Sequence, residues 1–133
     1  MRRLLLGISL IISTNVYPDV VRLACSSDKV FSIFRVGDTT EIHKEVNLLA
    51  TIMSINLPKS EIKISWSNRT HNTTGDINMK IIDVRNEGKI ILGFRADSEY
   101  ELHQFDLENL QTSWTTIKPT VHMYMLSKCT KSN

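Results

Sequence analysis

Apolar and polar residues alternate along most of this chain. The clearest run is Glu61–Gly75, EIKISWSNRTHNTTG, where Ile62, Ile64 and Trp66 alternate with Lys63, Ser65 and Ser67. A period of two carried by β-branched and aromatic residues predicts a strand buried on one face, with Trp66 in the core. The same period recurs at Met53, Ile55 and Leu57, and at Ile77, Met79 and Ile81. It returns at Val121, Met123 and Met125, opposite His122 and Tyr124. Val20–Ala24 reads as a first short strand, and KVFSIFRV (Lys29–Val36) as a second. Glu99–Leu107 alternates at Tyr100 and Leu102, then shifts phase to Phe105 and Leu107. Glu41–Lys44 is charged and ambiguous. Turn signals fall at Ser26-Ser27-Asp28, Gly37–Thr40, Pro58-Lys59-Ser60, Arg85–Gly88, Glu108-Asn109 and Lys118-Pro119. The doublet Ile81-Ile82 before Val84 predicts a bulge or a strand buried on both sides. The sum is eight or nine short strands with no long helix. That spacing predicts an all-β fold, an antiparallel β-sandwich or barrel, and the sandwich is the expectation carried forward.

The first residues break the pattern. Met1-Arg2-Arg3 precedes an apolar run to Ile12, then STNVYPD, the layout of a secretory signal peptide over residues 1–18. The run is about half of the roughly 20 residues a membrane span needs. Cleavage could fall at Ser13, at Thr14 or nearer Pro18, and the competing reading is a buried N-terminal strand. Residues 19–133 then form one domain without an integral membrane anchor. In a secreted chain the two cysteines, Cys25 and Cys129, predict one disulfide between the first and last strands, the alternative being two free thiols. The sequons Asn68-Arg69-Thr70 and Asn72-Thr73-Thr74 lie in a polar loop after the Trp66 strand, so Asn68 and Asn72 are candidate glycosylation sites.

Net charge is +2 with both signs interspersed, which argues against a nucleic-acid partner. His43, His71, His103 and His122 are scattered without a metal-ligand spacing and read as surface histidines. No phosphate-binding loop, dinucleotide fingerprint or nucleophile elbow is present. Asp97, Glu99 and Glu101 are close in sequence, but so short a chain has little mass to build a catalytic cleft around them. No catalysis, cofactor or metal is expected. Trp114 reads as a core indole like Trp66 or, among Thr112, Thr115 and Thr116, as a candidate binding anchor exposed on an edge. Phe31, Met53, Met79, Phe94 and Met125 are candidates to line an apolar cavity between sheets.

Three stretches, DVVRLACSSDKVFSIFRVGD, IMSINLPKSEIKISW and INMKIIDV, resemble in order and pattern the Wnt-inhibitory-factor (WIF) domain over about half the chain. The resemblance implies an extracellular β-sandwich that binds secreted Wnt signals and lipid. The shorter C-terminal half departs from it and lacks that family's second internal cysteine. Cys129 could match the closing cysteine, whereas Cys25 has no counterpart. No binding residue follows from it. The functional expectation is a secreted glycoprotein that engages an extracellular protein without catalysis. The alternatives are a carrier of a lipid-like ligand and, behind it, a small hydrolase.

Overall fold

The computed structural model describes residues 19–36, 39–96, 100–118 and 121–132, without the side chains of Asp28, Arg35, Val36 and 45–47. Residues 1–18, where the signal peptide is expected, lie outside the described residues. Eight strands follow one another: β1 (Val20–Val36), β2 (Thr39–Asn56), β3 (Glu61–Asn68), β4 (Thr73–Arg85), β5 (Ile90–Ala96), β6 (Tyr100–Asp106), β7 (Gln111–Ile117) and β8 (Val121–Lys131). Each pairs antiparallel with the next, and β8 returns to pair with β1. The result is a closed barrel.

The expected sandwich is therefore corrected to a barrel. Alternation predicts which face of a strand is buried, and both architectures meet that demand equally well. Two expected boundaries also dissolve. Ser26-Ser27-Asp28 is not a turn: β1 runs through it, and its register slips between Ser27 and Lys29 against β2 and between Ser26 and Val30 against β8. A bulge there bends the strand without ending it. The ambiguous Glu41–Lys44 belongs to the same long strand as Met53 and Ile55. Of the two readings of Ile81-Ile82 the bulge is the one present, as a slip between Ile81 and Asp83 against β5.

The lumen at the end where the chain enters is packed solid. Leu23, Met53, Ile55, Ile62, Ile64, Met79, Ile91 and Phe105 fill it, with Leu57, Leu107 and Leu110 packed against them from the turns. Glycine makes this density possible at Gly93, where a Cβ would stand 2.6 Å from Ile62 Cδ1. Tight turns close this end. Ser60 donates its N–H to Leu57 O (3.1 Å), and the Asp106 carboxylate accepts from the backbone N–H groups of Glu108 and Asn109 and from the Asn109 amide. Those bonds, the Asn109 side chain first, hold the Asp106 carboxyl below its ordinary value.

Outward positions carry Arg22, Lys63, Asn78, Lys80, Gln104 and Lys128, all exposed. Among the described residues no helix is long and apolar enough to cross a membrane.

Cys25 and Cys129 are direct partners across the β1–β8 seam and form a disulfide spanning 104 residues of sequence. A loop of about 100 residues corresponds to ~4.7 kcal/mol in the chain-entropy model, and removing a native bridge from a small domain typically costs ~2–5 kcal/mol. Replacing both cysteines by alanine is expected to lower unfolding free energy by that ~2–5 kcal/mol in urea titrations. An unchanged midpoint would mean that strand pairing alone holds the seam.

A candidate ligand site at the barrel mouth

The last residues of β1, β3, β5 and β7 lie at the other end, so the sequon loop 69–72 stands on that rim. At this end a cavity of about 180 Å³, open to solvent on one side, is lined by Val30, Leu49, Trp66, Asn68, Trp114, Thr116, Met123, Tyr124 and Met125. An engineered apolar cavity of about 150 Å³ holds benzene, so this space suits one ring or the end of an aliphatic chain.

Backbone register sets the walls. Trp114 on β7 sits between Met125 on β8 and His103 on β6, and Thr116 sits between Met123 and Glu101. Trp66 is positioned by its cross-strand partner Gly75, where a Cβ would come within 2.7 Å of the indole. A side chain at Gly75 would displace the ring from its place on the wall.

Behind Trp114 lies a buried polar cluster. The His103 ring is 4.6 Å from the Trp114 ring and 5.9 Å from that of Phe105, and His103 is 0% exposed. Arg95 Nη2 donates to Glu101 Oε1 at 3.2 Å, so the pair carries no net charge. Burial, then the nearby Arg95 charge, lowers the His103 pKa from 6.5 to about 3. The imidazole is thus neutral, with one N–H donor and one acceptor nitrogen. Among the described residues neither ring nitrogen has a hydrogen-bond partner, and neither do Trp114 Nε1 and Thr51 Oγ1. A buried polar group left unmatched costs ~1–3 kcal/mol, so this wall favours whatever can bond to it.

The structure redistributes the residues singled out in the sequence. Met125 lines the cavity, whereas Met53 and Met79 belong to the packed core. Phe31 and Phe94 are corrected: they stand on outward positions, Phe31 opposite Lys44 and Tyr124, Phe94 stacked on Tyr100 at 6.4 Å. Trp114 is corrected as well. It lies on no edge, because a closed barrel has none at β7, and its half-buried ring faces inward. Asn68 is a buried residue on the cavity wall whose Oδ1 accepts the His71 N–H at 3.2 Å, while Asn72 is exposed with φ 51°. His43 and His122 are exposed like His71, but His103 is corrected from the surface to the centre of the barrel. Asp97 and Glu99 lie outside the described residues, and Glu101 is buried against Arg95.

Sequence reasoning missed the burial of His103 and Glu101 and the places of Val30 and Leu49 on the cavity wall. A signal was present: counting back by two from Phe105 gives His103 and Glu101. The apolar character of Tyr100 and Leu102 suggested the opposite phase, yet these are the outward residues. No family model, curated protein or solved structure matches the chain.

The buried histidine predicts a pH dependence. Below its unfolded pKa of 6.5 the unfolded chain binds a proton that the folded chain refuses until about pH 3. The unfolded state then holds more protons, so stability rises with pH through this window. It is fully present above pH 6.5 and is lost as pH falls. Urea midpoints should decline below neutrality, before the carboxylates titrate, and His103→Leu should flatten that decline. An identical slope in the variant would place His103 in water.

Proposed function

We propose that this protein binds a small, uncharged, largely apolar molecule in the mouth of its barrel, and does so without catalysis. The observation carrying this reading is the mouth cavity, with two tryptophans and two methionines on its walls. Aromatic and thioether side chains adapt to an apolar guest, and up-and-down barrels of eight strands have room for one small ligand. The polar wall behind Trp114 supports one hydrogen-bonding group on that ligand. Since Arg95 and Glu101 cancel and His103 is neutral, an alcohol or phenol suits the wall better than a carboxylate. Trp114 Nε1, without a hydrogen-bond partner among the described residues, belongs to a residue that lines the cavity itself.

The chain contains two tryptophans, and both line the cavity, so intrinsic fluorescence reports on it directly. Titration with p-cresol and p-xylene should change that fluorescence saturably, with p-cresol tighter and 4-methylbenzoate weakest. Val30→Phe, which fills the space, should abolish the response. If none of the three compounds alters the emission, or if Val30→Phe responds like the parent, the carrier reading fails.

We also infer that the chain is exported and carries sugar at the rim of the barrel. The seam disulfide and the N-terminal segment support export. Of the two sequons, Asn72 is accessible to a glycan, whereas a glycan on Asn68 would require its amide to leave the cavity wall. Protein secreted from mammalian cells should lose mass with peptide-N-glycosidase. Asn72→Gln should remove that loss and Asn68→Gln should not; the reverse pattern would contradict the assignment.

A further inference from the structure

We infer that the outward face of β8, β1 and β2 is a docking surface for a bilayer containing anionic lipid. The starting observation is the bulge in β1. Pairing with β2 passes from Ser27 opposite Leu49 to Lys29 opposite Val46, and pairing with β8 from Ser26 opposite Lys128 to Val30 opposite Met125. The slips leave an open groove of about 690 Å³ on the barrel wall. Phe31, Leu48 and Leu126 supply its apolar lining, and Lys29, Arg69 and Lys128 its charge. Lys44 adds a fourth cation, 6.0 Å from the centre of the Phe31 ring.

The apolar surface continues beyond the groove. β2 pairs with β3 only between Leu49 and Asn56, so its first half extends with β1 past the end of β3. On that extension Ile42 pairs with Ile33, and Ile33 with His122, in one outward row. Ile42 is 71% exposed, and Leu48, Tyr124 and Leu126 are exposed elsewhere on β2 and β8. Among the described residues none of Lys29, Lys44, Arg69 and Lys128 is ion-paired.

Charge complementarity selects the occupant. Exposed aliphatic side chains interspersed with cations match a surface that offers an apolar interior beneath an anionic skin. A second copy of the chain would bring the same positive charge to the contact. An acidic soluble protein satisfies the charge and is the competing outcome of the test. This inference does not depend on the mouth cavity, and either can fail without the other.

Flotation of the chain with phosphatidylcholine vesicles, with and without phosphatidylserine, provides the test. Binding is expected only with phosphatidylserine and should fall as salt rises. Lys29→Gln, Arg69→Gln and Lys128→Gln should each weaken partitioning about fivefold, the equivalent of ~1 kcal/mol per basic residue near such a surface. Ile42→Ser with Leu126→Ser should weaken it further, while Lys80→Gln on β4 should leave it unchanged. Circular dichroism checks that each exposed substitution leaves the barrel folded. Equal binding to both vesicle types, no binding to either, or an effect of Lys80→Gln matching that of Lys128→Gln would overturn the inference. Capture by immobilised polyglutamate without vesicle binding would do so in favour of an acidic protein.

Discussion

The meeting of β1 with β8 is the constraint on which the rest of this molecule depends. Seven of the strand pairings are between neighbours in sequence, and each can form as a hairpin. The eighth joins the two ends of the domain and converts a meander with two raw edges into a closed ring. An open sheet would leave a row of unsatisfied backbone groups at each edge and water on both faces of Leu23, Ile55 and Phe105. Closure removes most of that edge and defines an inside. The disulfide stands directly on this joint, between residues already paired by backbone register.

Once an inside exists, its volume must be filled, and the two ends solve this differently. Near the tight turns the lumen takes branched aliphatic residues, with Gly93 making room for Ile62. Towards the mouth the fill becomes larger and more polar: two indoles, two thioethers, and the Arg95–Glu101–His103 cluster behind them. A neutral histidine with neither ring nitrogen matched among the described residues costs stability at that depth. That placement supports the ligand-binding proposal. The same closure shapes the exterior, because the bulge that lets β1 bend between two partners also opens the basic groove.

Much of this was legible in the chain. Alternation is local, so Ile62, Ile64, Met53, Ile55, Met79 and Met125 could be assigned to the buried face from spacing alone. The disulfide was legible from the two cysteines, and the Ile81-Ile82 doublet left a bulge as one of two readings. Polar residues misled where they were buried. Glu101 and His103 looked like surface residues because charge and imidazole usually seek water, and Tyr100 and Leu102 looked like core because they are large and apolar. The three polar residues at 26–28 looked like a turn because a bulge and a turn draw on the same residue types.

What the amino-acid order determined by itself was the strand content, the face each strand buries and the availability of one sulfur bridge. Those properties are set within a few residues, by the two-residue repeat of an extended backbone. Whether the strands stack as two sheets or close as one was decided only by contact between β1 and β8. Which interior side chains then meet, Trp114 with His103 and Arg95 with Glu101, followed from the stagger of that closure. Register across a ring is a collective property of eight strands, and no single stretch of the chain carries it.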